Sequence, residues 1–339
     1  MPDILLCRTD RPLANEIKAK IGLFCNVHQN QVFTAMDVST IYEVPSYFKK
    51  EGLDDKIVEL LGMWTSSPNI SAWEEMLERL KNPKHEVTIG IVGKYVELKE
   101  SYKSLNEALV HGGVAHSTKV NLKFVDAEDL EKDAAQIERQ LGDVDGVLIP
   151  GGFGSRGIEG KILAVQYARE KKRPFFGICL GMQLAVTEFA RNVVGWKDAN
   201  SMEFNPDSKH LVIDIMEDQK NVDKKGGTMR LGSWECEVVT GTKAFDAYRK
   251  SEIHERHRHR FEVSNKYRDE IAAEGMVFSG FCRDPRVNAK GGLVEMIELK
   301  DHPYFVGCQF HPEFKSKPLV PHPLFKSFIG AAVDYGRKK

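Results

Sequence analysis

The chain has 339 residues, and its 48 Lys and Arg residues are balanced by 49 Asp and Glu residues, giving a formal net charge of −1. This balance excludes a general electrostatic attraction to nucleic acid or to an anionic membrane. The apolar runs are far shorter than the roughly 20 residues that span a bilayer. The length is enough for two domains with separate cores, and we expect a protein that binds neither nucleic acid nor membranes.

The first 82 residues contain few predicted elements. They are a strand at 3–8, a helix at 15–25, a short strand near 32 and a further extended segment at 41–45. Trp64 and Trp73 flank a Thr-Ser-Ser-Pro-Asn turn that indicates a linker. So few elements bury too little apolar surface to be stable alone. We therefore interpret residues 1–82 as the end of a larger domain, a synthetase domain by the resemblance described below.

From residue 83 onward, strand-like apolar runs alternate with amphipathic, helix-like runs. The pairs of strand and helix are 87–92 with 102–115, 120–125 with 130–141, 147–149 with 157–170, and 175–178 with 180–191. This alternation predicts an α/β domain over residues 83–339, with a doubly wound, mainly parallel sheet and a site at the carboxyl ends of its strands. Later runs predict antiparallel strands and a closing helix, at 211–215, 235–240, 293–299 and 323–335.

The segment Gly177-Ile-Cys179-Leu-Gly181 follows the apolar strand at 175–178. Glycines on both sides of a cysteine allow a sharp turn from strand to helix that presents the cysteine side chain at its tip. The first N–H groups of the new helix point at the sulfur and favour the nucleophilic thiolate. We therefore predict that Cys179 is a nucleophile.

A cysteine nucleophile needs a base, and the segment Phe-His311-Pro-Glu313 ends an apolar strand at 304–310. Alternation along an extended chain puts positions 311 and 313 on one side. Glu313 can therefore orient His311 while His311 faces the sulfur. The three residues together predict acyl transfer through a Cys-His-Glu triad.

A third motif, Pro150-Gly151-Gly152, ends another apolar strand. N–H groups exposed by the two glycines, with the amide of Leu180 after the nucleophile, are predicted to form an oxyanion hole. Taken alone, a Gly-Gly pair is usually a turn and a cysteine is usually a core residue. The order of glycine loop, cysteine elbow and His-Pro-Glu strand end resembles the class I glutamine amidotransferases, which release ammonia from glutamine through a thioester.

Five further segments resemble the CTP synthases, glutamine-dependent ligases that aminate UTP to CTP with ATP. They are PDILLCRTDR at 2–11, AKIGLFCNV at 19–27, GIVGKY at 90–95, GGTMRLG at 226–232 and ERHRHRFEV at 255–263. The resemblance covers essentially the whole chain. It implies a homo-oligomer, tetrameric in the family, that acts on glutamine, UTP and ATP, with Mg²⁺ bound by the full enzyme and GTP as an allosteric activator.

For glutamine hydrolysis, the resemblance implies the triad of Cys179, His311 and Glu313. The implied glutamine-binding and oxyanion positions are Gly152, Leu180, Gly181, Met182, Gln183, Glu203 and Arg260. Glu203 would receive the α-ammonium group of glutamine, and Arg260 would hold the α-carboxylate with its planar fork. Without the resemblance, Glu203 would be read as surface and 256–260 as a basic loop or a weak phosphate patch.

For the nucleotides, the resemblance implies Lys20 at the phosphates of UTP or CTP, and Met36, Asp37 and Val38 at the adenine of ATP. On its own, Lys20 would be read as a solvated helix lysine. The six cysteines are scattered without metal-ligand spacing. We therefore predict no metal site in this chain and a reducing, cytoplasmic location.

The resemblance to CTP synthases implies a Gly-rich, Lys-containing phosphate loop in the synthetase domain. No G-x-x-x-x-G-K-[ST] motif occurs in the sequence. We expect the chain to carry the glutamine-hydrolysing half of the reaction, to lack the ATP phosphate loop with its acidic magnesium ligands, and to make no CTP by itself. Two alternatives remain open: a stand-alone class I glutaminase that feeds another partner, and a non-catalytic oligomerisation module. The segments at 226–232 and 255–263 disfavour the first, and an intact triad disfavours the second.

Overall fold

The computed structural model describes residues 1–94, 99–215, 229–285, 289 and 291–338, except for the side chains of 99 and 100. The chain divides into two units, Met1–Lys81 and Asn82–Lys339. Two of the segments quoted above extend outside the described residues, at Tyr95 and at 226–228. No described helix is long and apolar enough to cross a membrane.

The first unit contains a two-stranded parallel sheet and four described helices. Its elements are β1 (Leu5–Thr9), α1 (Asn15–Cys25), β2 (Val32–Met36), α2 (Val44–Glu51), α3 (Leu53–Leu60) and α4 (Ser71–Lys81). The two predicted strands and α1 are confirmed, but the extended segment expected at 41–45 is wrong. This segment is a 3₁₀ turn that runs into α2. Pro45 lies in the first turn of α2, where the fixed φ of proline suits a helix and its missing N–H group is not needed.

The second unit contains twelve described strands. They are β3 (His85–Gly93), β4 (Thr118–Asp126), β5 (Gly146–Ile149), β6 (Phe175–Ile178), β7 (Asn200–Ser201), β8 (Leu211–Ile215), β9 (Arg230–Val238), β10 (Glu252–His259), β11 (Phe261–Val263), β12 (Met276–Cys282), β13 (Leu293–Leu299) and β14 (Phe305–Cys308). Nine described strands form one sheet in the order β10-β9-β12-β13-β14-β6-β5-β3-β4. The strands from β14 to β4 are parallel, and the remaining four pair antiparallel. The predicted α/β fold with a parallel sheet is confirmed.

Helices cover both faces of the large sheet. They are α5 (Lys103–Ala115), α6 (Ala127–Lys132), α7 (Gln136–Leu141), α8 (Ile158–Glu170), α9 (Leu180–Phe189), α10 (Lys243–Tyr248), α11 (Arg268–Ala273) and α12 (Pro323–Gly336). Phe175 of β6 belongs to the core that contains α8 and α9, whereas Phe176 belongs to the core that contains α5 and α12. Because side chains alternate along a strand, β6 is buried on both faces, as a doubly wound sheet requires.

Two differences from the predicted elements have local causes. The helix expected at 130–141 is divided into α6 and α7, because Asp133 adopts an extended conformation with φ −147° and ψ 94°. The strand predicted at 211–215 is present as β8, but it lies in a small separate sheet between β11 and β7. Val212 and Ile213 of β8 join the core around α9, so this strand covers a helix layer instead of extending the large sheet.

Candidate active site

Cys179 lies at the turn where β6 ends and α9 begins. Its backbone has φ 51° and ψ −103°, a region that residues with a side chain seldom adopt. A Cβ atom on Gly177 would lie 2.7 Å from the carbonyl carbon of Gly181, and one on Gly181 would lie 2.2 Å from the carbonyl oxygen of Ile149. Both glycines are therefore needed because three backbone segments meet at this elbow.

Replacing Gly181 by alanine should disrupt the elbow, because the new methyl group has no space beside Ile149. We expect Gly181→Ala to lower the free energy of unfolding by about 1–3 kcal/mol and to slow alkylation of Cys179. Gly152→Ala is the matched control, since a Cβ atom there would meet Leu180 at an ordinary 3.5 Å. The measurement is urea unfolding, and equal stabilities of the two variants would contradict the steric role of Gly181.

His311 and Glu313 follow β14, the parallel neighbour of β6. Nδ1 of His311 and Oε1 of Glu313 are 2.7 Å apart, and both side chains are nearly buried. Burial lowers the pKa of His311, but hydrogen bonding and attraction to Cys179 and Glu313 outweigh it and raise that pKa to about 10. Nε2 of His311 makes no fully formed hydrogen bond with the described residues. Its interaction with the sulfur is thus looser than a normal hydrogen bond, as is common before substrate binds.

The imidazole of His311 is held from several sides. The N–H group of His311 donates to the carbonyl of Arg256 at 2.8 Å, and the ring stacks on Phe314 with centroids 5.4 Å apart. A Cβ atom on Gly151 would lie 2.7 Å from Cε1 of the ring. Gly151 therefore leaves room for the base, in addition to the oxyanion role that we predicted for it.

A pocket of about 270 Å³ opens beside the histidine. It is lined by residues 150–153, by the start of α5, and by Arg258, His311, Glu313 and Phe314. Glu203 reaches the same glycine loop from the turn after β7, because its Oε1 accepts a hydrogen bond from the N–H group of Gly154 at 3.0 Å. The fold thus brings a carboxylate from a distant part of the sequence to the loop beside the nucleophile.

Met182 and Gln183 direct their side chains into the interior. Met182 is fully buried, and a Cβ atom on Gly307 of β14 would lie 2.8 Å from its Cγ. Nε2 of Gln183 donates to the carbonyl of Phe261 at 2.8 Å and to Oε1 of Gln309 at 3.1 Å. The two side chains therefore form the floor beneath the elbow.

Arg258 lines the pocket, whereas sequence reasoning singled out Arg260. Exposed and buried residues alternate along β10, and Arg256 and Arg258 lie on its exposed side. Arg260 is partly buried in the connection from β10 to β11. The period-two pattern of the segment ERHRHR could have predicted a strand with its arginines on one face, but it does not distinguish Arg258 from Arg260. Read without the resemblance, 256–260 was expected to be a basic loop; most of it is strand.

Five ionisable residues form a buried cluster next to the strand end that carries His311. They are Arg230, His257, His259, Glu262 and Glu295, each at most 3% exposed. Nη1 of Arg230 donates to Glu262 at 3.0 Å and to Glu295 at 2.7 Å. Burial raises the pKa of Glu262 to about 8 and also raises that of Glu295, because Arg230 only partly offsets the lost hydration. Burial lowers the pKa values of both histidines, so they are neutral.

The positions implied for nucleotides all lie in the first unit. They are Lys20, Met36, Asp37 and Val38. Lys20 is exposed on α1, and the other three lie where β2 ends. The carboxylate of Asp37 accepts a hydrogen bond from Nε of Arg8 at 2.9 Å, so its charge is already paired with an arginine.

Among the described residues, one group has a spacing that suits a metal ion, Glu235, Glu252 and His254. All three side chains are exposed on the neighbouring strands β9 and β10. Because acidic residues on a surface are mostly solvated and need no partner, we assign no metal function to this group.

Comparison with known proteins decides the family. Class-I glutamine amidotransferase matches residues 97–331, and CTP synthase N-terminus matches residues 1–63. The chain belongs to the class-I glutamine amidotransferase family. The fold and the cysteine elbow of this amidotransferase agree with that assignment.

This amidotransferase is similar to CTP synthases along its whole length. It is 56% identical over 338 residues to the CTP synthase of Syntrophus aciditrophicus, covering 100% of this chain and 61% of that relative. The CTP synthase of Trichlorobacter lovleyi is 56% identical over 339 residues, covering 100% of this chain and 62% of that relative. The chain therefore spans about three fifths of the length of these relatives.

A solved structure gives the same result for most of the chain. The glutaminase domain of Trypanosoma brucei CTPS with bound acivicin is 38% identical to this amidotransferase, with a TM-score of 0.68. The match covers 73% of this chain and 94% of the other. The resemblance to CTP synthases that the motifs indicated is confirmed.

Proposed function

We propose that this amidotransferase hydrolyses glutamine through a thioester on Cys179 and that the released ammonia serves the amination of UTP to CTP. The observation that carries the proposal is the register of β6 and β14. The two strands are parallel neighbours, with Ile178 opposite Cys308. Because parallel strands end at the same edge of a sheet, Cys179 and the segment from 309 to 313 emerge side by side.

The chemistry follows from this arrangement. His311 takes the proton of the Cys179 thiol, and the thiolate attacks the side-chain carbonyl carbon of glutamine. The N–H groups of Leu180 and Gly152 stabilise the oxyanion. The protonated imidazole then donates its proton to the NH₂ group of the tetrahedral intermediate, which leaves as ammonia, and a water molecule activated by His311 hydrolyses the thioester. Glu313 holds Nδ1 of His311 throughout, so that Nε2 remains directed to the reaction.

The α-ammonium and α-carboxylate groups of glutamine require two side chains of opposite charge in the site. We propose that Glu203 binds its α-ammonium group and Arg260 its α-carboxylate. The position of Glu203 on the glycine loop supports the first assignment. Arg258, which lines the pocket, is the competing candidate for the second.

Arg260→Ala should mainly weaken glutamine binding. A lost charge-assisted contact is worth roughly 1.5–3 kcal/mol, so KM should rise by about 10- to 150-fold while kcat changes little. Steady-state ammonia release measures both constants, with Arg258→Ala assayed in parallel. A rise in KM confined to Arg258→Ala would assign the carboxylate to the other arginine and contradict our proposal.

We propose the nucleotide-binding half of the reaction, the amination of UTP, from the similarity to CTP synthases. Lys20 would contact UTP or CTP phosphates, and residues 36–38 would contact the adenine of ATP, in a cytoplasmic homo-oligomer that GTP activates. The residues present do not make a complete ATP and Mg²⁺ site, because the sequence contains no phosphate-loop motif. We therefore derive no phosphoryl-transfer step from this chain.

The proposed function is tested by incubating the purified chain with glutamine and measuring ammonia and glutamate. We expect ammonia and glutamate in equal amounts. An electrophilic glutamine analogue should block the formation of both products. Failure of the folded chain to release ammonia, with Cys179 unreactive towards that analogue, would contradict the assignment and favour a non-catalytic module.

A further inference from the structure

A second side chain besides His311 reaches the sulfur of the nucleophile. Nε2 of Gln309 lies 3.7 Å from Sγ of Cys179, a hydrogen-bond distance for the large sulfur atom. Gln309 is fully buried, and its N–H group donates to the carbonyl of Glu295 at 2.8 Å. Gln309 and His311 both follow the end of β14, and both side chains interact with Cys179.

The direction of the Gln309 amide is set by its neighbours. A backbone carbonyl only accepts hydrogen bonds, so the group of Gln183 that faces the carbonyl of Phe261 at 2.8 Å must be its NH₂. The same NH₂ group faces Gln309 at 3.1 Å, which requires the oxygen of Gln309 at that position. The NH₂ group of Gln309 is then the end that faces the sulfur.

Gln183 is well placed to fix this direction. Its N–H group donates to the carbonyl of Cys179 at 3.2 Å, one helical turn after the elbow. The side chains of Gln183 and Gln309 are both nearly or fully buried, so water does not compete for their hydrogen bonds. The relay therefore runs from the carbonyl of Phe261 through Gln183 and Gln309 to the nucleophile.

We propose that Gln309 is a further catalytic residue, whose side-chain amide donates a hydrogen bond to Cys179 and stabilises its thiolate, and that Gln183 is the positioning residue that orients this amide. Hydrogen bonding to the charged form of a group favours that form. The donor also fixes the sulfur on the side of the elbow that faces His311. This proposal rests on the proposed role of Cys179 as nucleophile.

The test uses the pH dependence of Cys179 alkylation by iodoacetamide, followed at the Cys179 peptide by mass spectrometry. Gln309→Met keeps the size of the side chain and removes the donor. We expect its alkylation rate at neutral pH to fall by roughly 10- to 150-fold and the midpoint of its pH profile to rise by about one to two units. Gln309→Glu, which places a carboxylate beside the sulfur, should shift the midpoint further.

The positioning role of Gln183 leads to a separate prediction. Gln183→Met should shift the midpoint in the same direction by a smaller amount, and the double variant should be no worse than Gln309→Met, because the two act in series. Gln166→Met, on the exposed side of α8, is the matched control and should keep the original profile. A wild-type midpoint in folded Gln309→Met would show that Gln309 only fills space and would overturn the proposal.

A measurement on the unaltered chain covers the case of a variant that does not fold. The side-chain ¹⁵N–¹H resonances of Gln309 should move with pH at the same midpoint as alkylation of Cys179. Resonances that stay constant across that midpoint would contradict the hydrogen bond. Both readouts are independent of glutamine turnover. An inactive chain with these properties would therefore refute the proposed function, while the hydrogen bond from Gln309 to Cys179 would still be supported.

Discussion

Cys179→Ala is expected to lose glutamine hydrolysis by about four or more orders of magnitude, because it removes the thiol that forms the thioester. An electrophilic glutamine analogue should label Cys179 and spare the other five cysteines. Burial raises the pKa values of Cys236 and Cys308 well above their ordinary range, so these thiols stay protonated and unreactive. Ammonia release and peptide mass spectrometry are the two measurements.

Cys236→Ala is the matched control for the nucleophile, since it removes a buried thiol from β9 and should keep most of the activity. Labelling that persists in Cys179→Ala would assign the nucleophile elsewhere.

Cys179→Ala should also lower the pKa of His311, which is raised to about 10 by Cys179 and Glu313 against the effect of burial. Proton NMR of the imidazole follows that change, and an unaltered pKa would show that the thiol and the base do not interact.

Arg230→Met is expected to lower the free energy of unfolding by about 3–5 kcal/mol. Removing Arg230 takes away the hydrogen bonds and the positive charge that partly offset the burial of two carboxyl groups. Here a single guanidinium nitrogen holds both Glu262 and Glu295, and the two carboxyl groups are almost completely buried. Chemical denaturation at pH 7 measures the loss.

Arg283→Met is the control for Arg230→Met, because the Arg283 pair with Glu237 is more than half exposed and surface pairs contribute about 1 kcal/mol or less. A triple variant, Arg230→Met with Glu262→Gln and Glu295→Gln, should recover part of the lost stability, since it buries no unpaired charge. Similar losses in the two arginine variants would show that the buried cluster has no special energetic role.

The same cluster predicts a dependence of stability on pH. The pKa of Glu262 is raised from 4.5 to about 8 by burial, so the folded chain keeps a proton that the unfolded chain releases. Stability from this group is therefore fully present below about pH 4.5 and is lost as the pH rises towards 8. In Arg230→Met, where the attraction that lowers this pKa is missing, the loss should continue to higher pH.

Local sequence determined the framework of the site. Gly177 and Gly181 allow the elbow around Cys179, because three backbone segments meet there and leave no space for a Cβ atom at either glycine. The pattern of glycine, cysteine and glycine in the sequence indicates this steric requirement. The alternation of apolar runs predicted the parallel strands of the second unit, since burial on both faces imposes it. The spacing of His311 and Glu313 predicted that the two residues interact, and they lie 2.7 Å apart. The expected cause was wrong, because Pro312–Phe314 forms a 3₁₀ turn that begins after His311 and not an extended chain.

Only the tertiary structure decided which distant groups meet the site. Apart from the family resemblance, nothing near Glu203 in sequence indicates that it reaches the glycine loop. The position of Gln309 two residues before His311 does not show that its side-chain amide reaches the sulfur. These contacts depend on how β7 and β14 are placed beside the elbow, which many long-range packing interactions determine together. The same holds for the buried cluster of Arg230, His257, His259, Glu262 and Glu295. From sequence alone, ionisable residues of these types are expected to be exposed to solvent. These five residues come together because β9, β10 and β13 lie in one sheet, and Arg230 partly offsets the hydration that the two carboxyl groups lose.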